Sequence, residues 1–361
     1  MKITRVDVAP LTYKLKHPFV YSGVRLVQLD YAIVRVSTEA GVVGYGECPA
    51  YWEPRGETQA STIAAGQQAA GVIAGQQYQQ PEQWGKVLAT IIPTAYAAAC
   101  GIDVALHDAL GQEESKPVYA YYGPAKSVPV EAAIPMVDLA QANALVATAV
   151  DQGITVFKVK VGMDVDREHE LLQAVRAVIG PERTLFVDAN QGWKTVDAAV
   201  QALTTFADAN LAWVEQPLPA NCTPADFRTL HERTGMQIML DESTYTAEDA
   251  AAAATAGAAQ LFNIKLAKSR GVWGAHELAN AATAHNAGYM LGSMIEGALG
   301  TYAGVHFAAT HAVRTTALNA FTFIDDPKAF GPAVQGGSMH APDAPGLGYG
   351  SAELFAACFK R

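Results

Sequence analysis

Most of the chain alternates short apolar runs with amphipathic stretches, and this alternation constrains the fold more than any other feature. From about Val128 onward eight apolar runs follow one another, and each of the first seven is trailed by a segment that reads as a helix. This alternation is typical of βα units around a parallel sheet, and eight units close into a barrel. The sequence therefore predicts an α/β fold with a (β/α)8-type, TIM-like barrel. The runs are VPVEAAIPM, VFKVKVG, LFVDAN, AWVEQPL, QIMLDES, LFNIKLA, GYMLGSM and ALNAFTFID.

Charged residues at the ends of these runs keep the same rhythm. They follow one another at intervals of 24 to 28 residues, which is one βα unit each, and they are Lys160, Asp188, Glu215, Asp241 and Lys265. The C-terminal ends of barrel strands meet at one face, where functional residues lie. A single acid at a strand end is often a helix cap, but five charged residues in phase indicate one shared site.

The chain before Val128 has a different pattern. KITRVDVAPLTYKL, DYAIVRVST and GVVGYGEC predict an antiparallel meander, and helical stretches follow at about 57–73, 81–89 and 94–112. After the eighth run, PDAPGLGYG is rich in Pro and Gly, and the chain is expected to return to the N-terminal domain. We expect an α+β domain at 1–125, a barrel at 126–325 and a returning C-terminal segment at 326–361.

Composition restricts the class of function. The 361 residues carry a net charge of -10 with no basic run, which argues against nucleic acid as a partner and favours a small-molecule ligand. The four cysteines lie far apart without a CxxC pair, so neither zinc nor a disulfide framework is indicated. The N-terminus does not read as a signal peptide and the apolar tracts are short, so we expect no membrane association and a cytoplasmic location.

The three acidic strand ends predict a metal site. Asp188, Glu215 and Asp241 supply carboxylate oxygens and no soft donors, which suits Mg²⁺ or Mn²⁺ rather than zinc. A cluster of three negative charges also requires a cation.

The segment FKVKVG places two lysines on one face of a strand, because successive side chains alternate between faces. On its own, this pattern is typical of a strand face that is exposed to solvent. Beside a carboxylate cluster and a divalent ion, Lys158 and Lys160 are instead expected to face an active site. Lys160 and Lys265 come from the second and sixth strands and should approach a substrate from opposite sides. A lysine whose pKa is lowered toward ~7–8 can act as a general base.

The order of motifs resembles the enolase superfamily, and within it the muconate lactonizing enzyme (muconate cycloisomerase) subgroup. GYGECP and GET lie in the N-terminal part, and KVKVG, VDANQGW, VEQPL, LDES, NIKLAKS and PGLG follow in that order. The resemblance covers nearly the whole chain. It implies that the N-terminal domain caps the barrel and that the protein is a homo-oligomer, from dimer to octamer.

The same resemblance implies roles for individual residues. Asp188, Glu215 and Asp241 match the metal ligands, and Lys160 and Lys265 match the catalytic bases. Lys158 corresponds to an electrostatic helper that binds the substrate carboxylate. Asn190 and Lys268 match positions that orient the metal ligands without binding the metal themselves.

The resemblance leaves several reactions open. The stretch GSMIEGALGT is similar to muconate cycloisomerases, whereas the loop GECPAYWEPRGET is similar to dipeptide epimerases. Dipeptide epimerases carry an Asp-x-Asp pair after the eighth strand, and here FIDDPKAFG offers Asp325 without the second Asp in its place. We therefore rank cycloisomerisation of an unsaturated dicarboxylate first and racemisation or epimerisation of an amino-acid derivative second. An o-succinylbenzoate synthase, a dehydratase and a non-catalytic binding protein are further alternatives.

Substrate specificity is expected to depend on two capping loops, 17–23 and 50–57. Tyr51 and Arg55 are candidates for substrate contact, and Arg55 is the candidate for binding a distal anion. Glu296 either faces the pocket or caps the following helix.

Overall fold

The computed structural model describes residues 1–21, 24–51 and 56–360. The chain begins with an antiparallel sheet formed by β1 (Ile3–Tyr21), β2 (Val24–Thr38) and β3 (Val43–Cys48), in the order β1-β2-β3. Three helices follow: α1 (Gln59–Ile73), α2 (Pro81–Ile91) and α3 (Tyr96–Glu113). The predicted meander and the three helices are present, with ends shifted by a few residues.

The N-terminal sheet is buried on both faces. Ala32, Val34 and Val36 pack with the apolar residues of α1, α2 and α3. Tyr31 and Ile33 alternate with them and point the other way, where they join the apolar core of the barrel. The sheet therefore forms a lid that is held to the barrel by its second face.

Seven parallel strands form the barrel sheet, after a two-residue strand β4 (Val128–Pro129) that lies outside it. They are β5 (Glu131–Ile134), β6 (Val156–Lys160), β7 (Thr184–Asp188), β8 (Val214–Glu215), β9 (Ile238–Leu240), β10 (Leu261–Ile264) and β11 (Gly288–Leu291). Their order in the sheet is β11-β10-β9-β8-β7-β6-β5. The helices between and after them are α4 (Leu139–Asp151), α5 (Val165–Ile179), α6 (Val196–Thr205), α7 (Pro224–Thr234), α8 (Ala247–Thr255), α9 (Val272–Ala284) and α10 (Ala298–Thr310). The predicted α/β barrel class is confirmed.

The predicted eighth strand is replaced by a short extended contact and a 3-10 helix. ALNAFTFID forms the 3-10 helix Leu318–Phe323, so its alternating apolar residues do not form a strand. Thr316 immediately before it bridges in parallel to both Val130 and Leu291. The backbone of Thr316 accepts a hydrogen bond from Glu131 at 2.8 Å. The ring is therefore closed between its first and seventh strands by a seam about one residue long.

The chain after the barrel contacts the N-terminal domain. A two-residue strand β12 (Ser338–Met339) pairs with β4, and the helix α11 (Ala352–Ala356) follows. The aromatic rings of Phe355 and Phe359 lie against Tyr45 of β3. In the part of the chain that the structure describes, no helix is long and apolar enough to span a membrane.

Candidate active site

The strand pairing brings the charged strand ends together in register. Lys160 lies opposite Asp188, and Asp188 lies opposite Glu215 on the next strand. Asp241 follows β9 directly, and Lys265 follows β10 directly. The three carboxylates are almost fully buried at the C-terminal edge of the sheet. The spacing of the sequence thus corresponds to one cluster at one mouth of the barrel.

Each expected base is paired with a carboxylate of this cluster. The Lys160 ammonium donates to Asp188 at 2.6 Å, and the Lys265 ammonium donates to Asp241 at 2.7 Å. Burial works against the charge of Lys265, but Asp241 and the neighbouring carboxylates raise the pKa of that lysine above its ordinary value. The neighbouring carboxylates therefore favour the protonated form of Lys265.

Asp241 is held in its ionised form by two lysines. Burial opposes its charge, yet Lys265 and Lys268 hold the pKa of the Asp241 carboxyl well below its usual range. Lys268 is itself buried, which lowers its pKa, and its ammonium lies 2.5 Å from the Asp241 carboxylate. It also donates to the backbone carbonyls of Asp241, Thr244 and Asn263. Lys268 therefore fixes the position of Asp241 from below the site.

Lys158 is buried deeper than Lys160 although both share one face of β6. Its ammonium lies 2.8 Å from Glu131 and 3.5 Å from Glu215. Burial opposes the charge, but Glu131, Glu215 and Asp188 raise the pKa of Lys158 well above its ordinary value. Lys158 is thus a permanent cation under the carboxylate cluster. It is not among the described residues that line the cavity above.

Glu215 is flanked by two polar side chains that occupy equivalent positions. Lys158 lies two residues before Lys160, and Asn263 lies two residues before Lys265. The Asn263 amide donates to one carboxylate oxygen of Glu215 at 2.6 Å, and Lys158 lies near the other oxygen. Asn263 and Glu131 were missed from the sequence. The signal that could have identified them is a polar residue within an apolar strand, as in FKVKVG.

Burial and repulsion between carboxylates raise the pKa values of two glutamates in the cluster. Burial and the nearby Asp188 raise the pKa of Glu215 to about 8. Burial and Asp241 raise the pKa of Glu242 to about 7. Glu242 was not singled out from the sequence, although it lies in the motif LDES. The carboxylates are close enough to oppose one another's ionisation, which a bound cation would relieve.

The residues present fit a divalent metal of the magnesium type. Oxygen is the donor of all the carboxylates, and no described soft donor lies among them. One buried carboxylate oxygen of Glu242 has no hydrogen-bond partner, and one of Glu215 has only the Lys158 ammonium at 3.5 Å. As the side chains stand, no three described His, Cys, Asp or Glu residues converge enough to hold an ion. Lysines instead hold Asp188 and Asp241, so an ion would have to compete with these ammonium groups.

Asn190 connects the two halves of the cluster. Its amide oxygen accepts from Lys160 at 2.7 Å, and its amide nitrogen donates to Glu242 at 3.2 Å. Its backbone N–H donates to Asp188 at 2.9 Å. The backbone of Asn190 adopts a positive φ of 39°, which few residues other than Gly tolerate as well as Asn does.

A cavity of about 630 Å³ lies above these residues, between the barrel mouth and the N-terminal domain. Lys160, Lys265 and Asn190 form its floor. Much of its described wall is apolar, and this part comprises Phe19, Leu26, Leu29, Tyr31, Ala50, Met294 and Ile295. Acidic residues of the described lining are Asp30 and Glu57. The two expected bases therefore face a space large enough for a small-molecule substrate.

The candidate specificity residues do not all reach this cavity. Tyr51 lines it, and its carbonyl accepts from the Glu57 backbone at 3.2 Å. Arg55 lies outside the described residues. Asp325 is exposed, is not among the described lining residues, and donates its backbone N–H to the Lys14 carbonyl at 2.8 Å.

Glu296 lies under the cavity wall and not in it. Its carboxylate is buried and accepts from the Met294 backbone at 2.9 Å and from the Ser293 hydroxyl. Burial raises the pKa of Glu296. The Glu296 side chain therefore bonds to residues of its own loop, and the neighbouring residue Ile295 lines the cavity instead.

Two family models match the chain. Residues 3–123 match the mandelate racemase / muconate lactonizing enzyme N-terminal domain, and residues 141–353 match the enolase C-terminal domain-like family.

Several characterised proteins are similar over nearly the whole length. An N-succinyl-L-Arg/Lys racemase of Bacillus cereus is 29% identical over 88% of this chain and 86% of that protein. A hydrophobic dipeptide epimerase of Enterococcus faecalis is 31% identical over 86% of this chain and 87% of that protein. The dipeptide epimerase of that organism, solved with Mg and the dipeptide L-Leu-L-Tyr, has a TM-score of 0.88 at 29% identity and covers 96% and 99% of the two chains.

A muconate lactonizing enzyme of Pseudomonas fluorescens, solved with muconolactone, is also similar in structure. Its TM-score is 0.92 at 27% identity, with 100% of this chain and 99% of that chain covered.

Proposed function

This chain belongs to the mandelate racemase / muconate lactonizing enzyme family of the enolase superfamily, and from that membership we propose that it racemises or epimerises an amino acid whose α-amino group is acylated. It is an isomerase of this superfamily. The proposal reverses the order of reactions that the sequence favoured, in which cycloisomerisation came first. The relatives reported from sequence are named as a racemase and an epimerase, whereas the muconate lactonizing enzyme is reported as a structural neighbour.

N-succinyl amino acids and dipeptides share one chemical feature. In both, the α-carbon lies between a carboxylate and an acylated nitrogen. This shared feature is the substrate class that we propose, without choosing between the two kinds of acyl group.

The observation that carries the proposal is the placement of the two lysines. Lys160 ends β6 and Lys265 follows β10, four strands apart in the ring, and both line the floor of the same cavity. A substrate α-carbon between them would expose one face to each ammonium group. One lysine can then remove the α-proton while the other returns a proton to the opposite face, which inverts the centre.

Proton transfer requires that one lysine is neutral and the other protonated. In the structure, Asp188 and Asp241 hold both ammonium groups through short ion pairs. A Mg²⁺ ion held by Asp188, Glu215 and Asp241 would supply positive charge beside the substrate carboxylate. Asn190 accepts from Lys160 and so keeps that ammonium directed along the cavity floor.

Buried cations support the same carboxylates from below. Lys158 and Lys268 lie under Glu215 and Asp241. As the α-proton leaves, negative charge develops on the substrate carboxylate, and fixed positive charge beneath the site favours that state. We therefore assign Lys158 a supporting electrostatic role that does not require direct substrate contact.

The described cavity wall supports an amino-acid derivative with an apolar side chain. Lys160 and Lys265 are the only cationic residues among the described residues of the lining, and both belong to the floor. A substrate side chain above this floor would meet Leu26, Leu29 and Ile295, which suits an apolar group.

A deuterium-exchange screen tests the proposal. The protein with Mg²⁺ in D₂O is incubated with N-succinyl and N-acetyl amino acids, with L,L-dipeptides and with cis,cis-muconate, and each mixture is followed by NMR. We expect α-deuteration and inversion in at least one acylated amino acid. Lactone signals from muconate, without exchange in any acylated amino acid, would instead support cycloisomerisation, which the similarity of GSMIEGALGT to muconate cycloisomerases and the lactonizing neighbour favour.

A further inference from the structure

A buried carboxylate of the N-terminal sheet reaches the loop that forms one wall of the cavity. Glu47 belongs to β3 of the lid, but its side chain extends to the start of α10. Only 1% of the residue is exposed. Its two oxygens accept from the backbone N–H groups of Gly297 and Gly300 at 2.9 and 3.3 Å. These groups lie at the start of α10, whose own first residues provide no side-chain cap. The two hydrogen bonds satisfy N–H groups of the first turn, so the lid supplies the side-chain cap that this helix lacks.

Gly297 lets another lid residue pack against the start of α10. A Cβ on Gly297 would lie 2.2 Å from the Tyr13 hydroxyl of β1. The lid therefore contacts the first turn of α10 closely through Tyr13 as well as through Glu47.

The loop that precedes α10 in the chain forms part of the cavity wall. Ser293, Met294 and Ile295 all line the cavity. Ile295 has a φ of +65°, an unfavourable conformation for a β-branched residue that persists only when the surroundings determine it. A second lid residue holds the same loop, because the Tyr31 hydroxyl donates to the Met294 carbonyl.

We propose that Glu47 is a positioning residue, which holds the wall formed by 293–295 in place from the lid and thereby adjusts the cavity to the substrate side chain. Its carboxylate fixes the start of α10, and the loop before that helix is held between this anchor and β11. The substrate effect rests on the proposed function, whereas the effect on the loop does not. Glu47 has no role in proton transfer in this proposal.

Hydrogen exchange tests whether Glu47 holds the loop in place, and this test does not depend on activity. Glu47→Ala and Glu47→Gln are compared with the parent, and Glu39→Gln serves as the matched control on an exposed carboxylate of the same lid. Mass spectrometry follows a peptide that covers 292–304. We expect about tenfold faster exchange in Glu47→Ala, a smaller increase in Glu47→Gln, and no change in Glu39→Gln. Unchanged exchange in both Glu47 variants, with parental circular dichroism, would overturn the proposal.

Steady-state kinetics test whether the position of this wall affects binding of the substrate side chain. For an acylated amino acid with a large apolar side chain, we expect Glu47→Gln to raise KM about tenfold while kcat changes less than about threefold. KM for an acylated alanine should change less. An equal fall in kcat for both substrates would contradict a positioning role. If the parent turns over no acylated amino acid, the proposed function fails, and hydrogen exchange alone decides whether Glu47 holds the wall.

Discussion

Lys160 and Asp188 lie opposite each other on neighbouring parallel strands, and the lysine ammonium donates to the carboxylate at 2.6 Å. The same relationship recurs across the ring between Lys265 and Asp241 at 2.7 Å. Each expected base is therefore neutralised by an expected metal ligand. Any cation that binds the carboxylates must change the protonation and position of both bases together, so metal binding and base strength are coupled in this site.

Removal of either base should abolish racemisation. We expect Lys160→Ala and Lys265→Ala to lower net turnover by ~10²–10⁴-fold or more, because each loses the acid or base for one face of the substrate. At least one of the two variants should still exchange the α-proton of one enantiomer with D₂O. NMR of each separate enantiomer measures this exchange.

The matched control for these variants is Lys116→Ala, which removes an exposed lysine that pairs with Glu114. It should retain parental activity. Parental turnover in both Lys160→Ala and Lys265→Ala would remove the two-base mechanism.

Magnesium binding should depend on Asp241. We expect Asp241→Asn to weaken Mg²⁺ binding by at least ~10–100-fold, because the substitution removes a charged ligand and leaves Lys265 and Lys268 without their anion. Titration calorimetry with MgCl₂ measures the binding directly. Asp151→Asn changes an exposed acid at the end of α4 and should bind like the parent. Equal affinity in Asp241→Asn would contradict the assigned ligand set.

The pH dependence of stability should report the buried proton of Glu47. Burial is the main cause that raises the pKa of Glu47 to about 8 from an ordinary value of 4.5. Between these values the folded state keeps a proton that the unfolded state releases, so rising pH favours unfolding. Glu47→Gln removes this contribution, which amounts to at most ~1.4 kcal/mol per pH unit.

Urea unfolding of the parent and Glu47→Gln at pH 5.5 and 7.5 measures this contribution. We expect the free energy of unfolding of the parent to fall, relative to the variant, at the higher pH. Equal pH slopes in the two proteins would show that Glu47 does not hold a proton in the folded state.

Two glycine substitutions should have opposite effects on stability. Gly297→Ala should destabilise the protein by ~1–3 kcal/mol, because its Cβ would lie 2.2 Å from the Tyr13 hydroxyl. Gly71→Ala lies within α1, where no atom stands within 4 Å of the added Cβ, and should stabilise it by ~0.5–1 kcal/mol. Chemical denaturation measures both. A Gly297→Ala protein as stable as the parent would show that the lid can withdraw from α10.

The barrel and its charged rim could be predicted from the sequence because both depend on regular spacing. One βα unit separates each pair of charged residues, so Asp188 and Glu215 had to meet once the strands paired in parallel. The same reasoning failed at ALNAFTFID. Its apolar alternation suits a strand, but the available gap between β11 and β5 is closed already by Thr316.

Partners that lie far apart in the chain could not be predicted in this way. Glu47 meets Gly297, 250 residues further along the chain, through a contact that no periodicity specifies. A lone carboxylate in an apolar strand indicates a buried partner but does not identify it.

The seam at Thr316 also bears on how the chain folds. Seven strands pair with neighbours that are close in sequence, whereas the ring is sealed by contacts between Val130 and Thr316, at opposite ends of the barrel segment. Such a contact has a high sequence separation and carries the largest loop-closure entropy of the barrel. Closure of the ring is therefore the step of barrel formation that joins the residues most distant in sequence. A chain cut after residue 310 would retain all the neighbouring strand pairs and still lack the residue that turns a curled sheet into a closed ring.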